Sequence, residues 1–133
     1  MYALLAFALL VWVVACIRFE RQRVQALRVY WRRACQGRAW RRAFPAARVD
    51  EIRTFLRTFT ASFGFRNRQA LAFCPTDHVL EVYGALYPSR KWPDALELET
   101  FAGELETQYG FDLQSVWRED LTLGEVFAMT RAT

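Results

Sequence analysis

Residues 93–113, PDALELETFAGELETQYGFDL, hold the pattern that decides the fold. Leu98, Phe101, Ala102 and Leu105 recur at steps of three and four, which places them on one face of a helix. Glu97, Glu104 and Glu106 fall between them and are expected to point outward. Asp94 stands where a helix takes its N-cap, because a short acidic side chain accepts from the first free backbone N–H groups. Tyr109-Gly110-Phe111 closes the helix, with Gly110 expected in the left-handed conformation that a C-terminal turn requires. Phe111, Leu113 and Val116 then supply apolar contacts for a short crossing segment.

The same rhythm extends in both directions. Toward the C-terminus, Leu121-Thr122-Leu123-Gly124-Glu125-Val126-Phe127 opens a further helix, with Thr122 as cap and Glu125 three residues on completing a capping box. Toward the N-terminus, a helix beginning near Val49 sets Asp50 and Glu51 at its positive end and aligns Ile52, Phe55, Leu56, Phe59 and Phe63. Gly64 stops it. A long irregular stretch follows, punctuated by Pro75, Gly84, Pro88 and Pro93, in which Thr76-Asp77 is expected to cap a short turn carrying Val79, Leu80, Val82 and Tyr83. No segment of convincing length alternates as a strand would. Residues 49–133 therefore predict an all-α domain, a small four-helix bundle.

The first 48 residues are different in kind. Residues 1–17, MYALLAFALLVWVVACI, contain no charged side chain. As a helix they extend roughly 25 Å at about 1.5 Å per residue, the short end of what crosses a bilayer core of about 30 Å. Residues 18–48 carry ten arginines and one acid, Glu20, a net charge of +9, whereas 49–133 carry eight basic and thirteen acidic groups, a net −5. The charge step predicts three parts: a transmembrane anchor at 1–17, a basic juxtamembrane segment at 18–48, and the bundle at 49–133. Positive charge following the span holds that side in the cytoplasm, so the expected arrangement is a single pass through the inner membrane, N-terminus out. Val13-Val14-Ala15-Cys16 loosely resembles a lipoprotein cleavage box, but the uncharged leader and the arginines after it argue against export.

Within the basic segment Val24, Leu27, Trp31 and Ala34/Cys35 keep a helical beat, with Arg21, Arg28 and Arg32 off that line, and Gly37 and Pro45 are expected breaks. A basic amphipathic helix beside a membrane reads as a headgroup-binding element, with Arg18, Arg21, Arg28, Arg32 and Trp31 at the lipid surface. Arginines interleaved with Tyr30, Trp31 and Trp40 are also a pattern for nucleic acid, a reading set aside because the segment continues from a membrane span. Cys16, Cys35 and Cys74 are odd in number and widely spaced, neither a disulfide framework nor a zinc site. Cys74, Asp77 and His78 have the chemistry of a nucleophile, an orienting acid and a base. Triads, however, are assembled from distant parts of a fold, and these three lie within five residues. No metal, cofactor or catalytic group is assigned.

The run Asp94-Ala95-Leu96, Leu105 to Leu113 (LETQYGFDL) and Leu121 to Val126 (LTLGEV) resembles the acyl carrier protein family from its second helix through its fourth. The spacing from Ala95 to Tyr109 equals that from the family's serine to the matching aromatic, and Thr76 to Glu81 resembles its first-loop segment. The resemblance covers about 85 residues and is strongest in those three motifs. It departs at residues 84–93 (GALYPSRKWP), longer and more basic than usual, and above all at Ala95, where the family has the serine that carries phosphopantetheine. Alanine offers no oxygen for that transfer, and Ser89 lies six residues too early.

The resemblance implies a carrier-shaped module without its cofactor, not an enzyme. It also implies docking through the acidic positions Asp94, Glu97 and Glu106, with Thr100 at another usually acidic place. The expected function is a membrane-tethered interaction module at the cytoplasmic face. Its partner would be a protein such as an enzyme of envelope, lipid or polysaccharide synthesis. The alternative is a lipid-binding module holding an acyl chain non-covalently among Phe55, Phe59, Phe101 and Phe127.

Overall fold

The computed structural model describes residues 1–88 and 95–133. All regular secondary structure among them is helical. Six α-helices run in the order α1 (Tyr2–Trp31), α2 (Gly37–Ala43), α3 (Val49–Ser62), α4 (Val79–Leu86), α5 (Leu96–Tyr109) and α6 (Leu123–Ala132). Two 3-10 turns, Asn67–Ala72 and Gln114–Val116, lie between α3 and α4 and between α5 and α6.

The apolar faces expected for α3 and α5 are the ones that enter the core. Ile52, Phe55, Leu56, Phe59 and Phe63 are buried, as are Phe101 and Leu105, while Leu98 and Ala102 pack at its edge. Phe59 meets Phe101 with ring centroids 5.4 Å apart, and Phe55 meets Phe127 of α6 at 5.2 Å. The C-terminal turn of α5 is closed by Gly110 at φ 64°, whose N–H bonds back to Glu106 O at 2.9 Å. At α6 the capping box is formed: the Glu125 N–H donates to Thr122 Oγ1 at 3.2 Å, and the Thr122 N–H donates to the Glu125 carboxylate at 2.9 Å.

The segment before α4 is stitched to the start of α6 by backbone. Val79 N–H bonds to Leu121 O, Leu123 N–H to Asp77 O, and Gly124 N–H to Pro75 O at 2.8 Å. A Cβ at Gly124 would sit 2.9 Å from that same Pro75 oxygen, so the close approach of the two chains requires glycine.

The N-terminal third departs from the expected plan. The anchor and the first part of the basic segment, as far as Trp31, are one continuous helix of 30 residues, about 45 Å long. Its first 17 residues stand exposed and clear of the domain, long and apolar enough to cross a membrane. Its last turns do the opposite, placing Leu27 and Tyr30 inside the core. Trp40 of α2 is fully buried, edge-on to Phe127 at 5.8 Å, and donates its indole N–H to Phe73 O at 2.9 Å. The packed body therefore begins ahead of residue 49, where the charge step had drawn the boundary.

Gly37 does not end the first helix but opens α2; α1 stops at Trp31. The reason is tertiary. Arg33 is held by Asp77 and by Ala72 O, and the Gln36 N–H is taken by Leu71 O at 2.8 Å, which turns the chain out of its helical path.

Candidate functional site

Two places concentrate the expected functional residues: the head and outer face of α5, and the basic end of α1.

Position 95 heads α5. Ala95 is its N-cap residue and adopts φ 53°, ψ 16°, the left-handed region, where an alanine is uncommon. Its N–H donates to Tyr83 Oη at 3.1 Å, and the Tyr83 ring lies 5.4 Å from that of Tyr87. The Tyr87 hydroxyl in turn donates to the Glu97 carboxylate. A methyl group thus stands at the head of the helix where the resemblance calls for a hydroxyl. Asp94, the expected cap and docking residue, and Ser89 lie outside the described residues.

Glu97 and Glu106 are not brought together. They are nine residues apart, roughly half a turn round the helix at about 100° per residue. Glu97 is half-buried against α4, with its second carboxylate oxygen shielded and without a hydrogen-bond partner among the described residues, and so does not point outward as expected. Glu106 is exposed. The acid that shares its face is Glu99, seven residues earlier and likewise exposed. That seven-residue spacing was present in the sequence and identifies the pair. Thr100 is exposed on the same helix, its hydroxyl turned back to Leu96 O at 2.7 Å. Glu104 accepts from Gln108 at 3.1 Å, and Gln108 accepts from Thr58 on α3, so that acid belongs to the α3–α5 contact.

At the basic end of α1, Arg18, Arg21, Arg28 and Arg32 are all exposed. Trp31, expected at the lipid surface, is half-buried instead and stands edge-on to Phe65 at 5.2 Å and Phe73 at 5.7 Å. An indole gains more by joining this aromatic cluster than by lying exposed beside it. The decisive residue of the basic segment is one the sequence did not single out. Arg33 makes a two-pronged bridge to Asp77, both N–O distances 2.7 Å, and its guanidinium stacks over the Tyr30 ring at 4.9 Å. The hydrogen bonds to Asp77 push the Arg33 pKa above its ordinary value.

The Asp77 carboxylate also accepts the Cys74 N–H at 2.7 Å. This occupies the acid of the nucleophile reading. His78 faces Glu81 at 3.4 Å, and Cys74 Sγ meets Thr76 Oγ1 at 3.3 Å, so sulfur, imidazole and carboxylate are each engaged elsewhere. The phenylalanines of the acyl-chain alternative touch one another: Phe55, Phe59 and Phe101 are fully buried, Phe127 nearly so, and their rings fill the space between the helices. No protein-family model matches the chain, and neither a curated protein nor a solved structure does.

Proposed function

We propose that this protein is a membrane-tethered, non-catalytic interaction module, similar to an acyl carrier protein but without phosphopantetheine. Through it a partner is recruited to the cytoplasmic face of the inner membrane. The observation that carries this reading is the continuity of α1, whose apolar half stands clear of the domain while its other end is built into the core. An anchor joined in this way holds the domain at a set distance from the bilayer, and tethering raises the local concentration of anything the domain binds. Ala95 at the head of α5 supports the absence of phosphopantetheine, since its methyl group offers no hydroxyl for the transfer. The exposed pair Glu99 and Glu106 is the docking face that suits a basic patch on an enzyme of lipid, envelope or polysaccharide synthesis.

The test pairs localisation with chemistry. Full-length protein should remain in the membrane fraction after carbonate washing. Incubated with a broad-specificity phosphopantetheinyl transferase and coenzyme A, it should show no mass gain, whereas Ala95→Ser should gain one phosphopantetheine. Failure of the serine variant to be modified would count against the carrier resemblance. Release by carbonate would count against the tether.

A further inference from the structure

Three arginines of the packed body meet at one pocket with no acid to neutralise them. Arg38 and Arg41, three residues apart on α2, share a face of that helix, and Arg53 comes from the first half of α3. All three are exposed, and together they line a pocket of about 250 Å3. Ile52, Leu71 and the buried ring of Trp40 supply an apolar wall. Two hydrogen bonds fix that wall in place. The Gln36 N–H donates to Leu71 O at 2.8 Å, and the Trp40 indole N–H donates to Phe73 O at 2.9 Å.

The charge of this pocket is unbalanced. Asp50 and Glu51, the acids nearest to Arg53 in the sequence, line a separate hollow beside Tyr109 and Arg131. Asp50 pairs there with Arg48 at 3.2 Å, and the Glu51 carboxylate accepts the Arg48 N–H at 3.0 Å. None of Arg38, Arg41 and Arg53 has an ion-pair partner among the described residues, whereas Arg33 and Arg118 each have one. Like charges gathered beside an apolar wall focus a positive potential, which draws an anion into the space between them.

Size and charge together define the ligand class. Drug-sized molecules occupy pockets of about 300–1,000 Å3, so this one takes a unit the size of a single headgroup. A phosphate monoester carries a charge of about −1.5 to −2 at neutral pH and three acceptor oxygens. Those oxygens suit three guanidinium forks, where a carboxylate offers only two. The apolar wall calls for a hydrocarbon portion next to the phosphate.

We propose that this pocket binds a phosphate monoester joined to an apolar chain. Arg38, Arg41 and Arg53 hold the phosphate oxygens, and the first carbons of the chain lie toward Ile52 and Leu71. A lipid headgroup and a soluble phosphate ester share this chemistry. The site is separate from the acidic face of α5 and adds a small anionic ligand to what the domain can hold.

The experiment titrates hexyl phosphate with the full-length protein in dodecyl maltoside micelles and follows the phosphorus NMR resonance. A saturable shift is expected, with half-saturation about tenfold lower than for inorganic phosphate, the gain from burying one or two CH2 groups. Arg38→Gln/Arg53→Gln should raise half-saturation about tenfold or more, Arg38→Lys/Arg53→Lys should raise it less, and Arg42→Gln, outside the pocket, should leave it unchanged. An unaltered melting temperature in the glutamine pair shows that the fold is intact. Phosphatidic acid added to the micelles then identifies the source: displacement of hexyl phosphate assigns the site to a lipid headgroup, and its absence assigns the site to a soluble ester. No saturable shift, equal binding of hexanoate, or a shift unchanged in the glutamine pair overturns the proposal.

Discussion

Asp77 shows how much one side chain can settle. Its carboxylate holds Arg33 with two hydrogen bonds and the Cys74 N–H with a third, fastening α1 to the segment ahead of α4. Asp77→Ala should cost about 2 kcal/mol, since it strands a part-buried guanidinium and a backbone donor together. A thermal melt of the full-length protein in detergent would measure it. Arg33→Met added to that variant should cost less than the two single changes combined, the mark of a direct pair. Gly124 is a second such position. Gly124→Ala drives a methyl group to 2.9 Å from Pro75 O and should destabilise by about 1–3 kcal/mol in the same assay. Neither role was visible in the sequence, where Asp77 read as a cap and Gly124 as part of a family-like motif. Both depend on partners 44 and 49 residues away.

At the scale of elements, local signals were strong wherever a helix terminates within its own sequence. The Thr122–Glu125 box and the left-handed Gly110 are formed as their residues predict, because capping involves only neighbours in the chain. Thr122→Ala should cost about 1 kcal/mol. The box also has a pH signature. The Thr122 backbone N–H, helped by Arg118, holds the Glu125 pKa below its ordinary value. A carboxylate whose folded pKa is depressed stabilises the fold above its unfolded pKa, about 4.3, and loses that contribution as pH falls through the folded value. Melting temperature followed from pH 7 to pH 3 should therefore drop more steeply in the native protein than in Glu125→Gln, which keeps an acceptor but cannot titrate. Where an end depends on another element, local reading failed: α1 stops at Trp31 because Arg33 and Gln36 are claimed by residues near 72 and 77.

For the whole molecule, the consequence is that anchor and domain share one core. Trp40, Tyr30 and Leu27 fill space between α3, α4, α6 and the Phe73 region. Trp40→Ala should cost about 3–5 kcal/mol, the range for removing a large buried aromatic, with a lost hydrogen bond to Phe73 O besides. A chain cut to residues 49–133 loses all three side chains at once. It should show weak near-ultraviolet circular dichroism and a broad melt, whereas a chain beginning near residue 20 should melt cooperatively.

The sequence by itself determined that the protein is helical, that α3 and α5 each carry one apolar face of Phe with Leu or Ile, and that residues 1–17 are without charge throughout. Each of these follows from periodicity and hydropathy, which are properties of neighbours along the chain. Only the tertiary structure decided which of the two sides of the basic helix enters the core, and that Glu97 turns inward while Glu99 turns out. It alone showed that the domain begins before the charge changes sign. Aromatic and basic residues alternate along α1, and either alternate is a plausible inner face until Phe65, Phe73 and Asp77 arrive from distant sequence to claim Tyr30, Trp31 and Arg33. Burial is a competition among all the surfaces of the folded chain, and its outcome is settled when those surfaces meet.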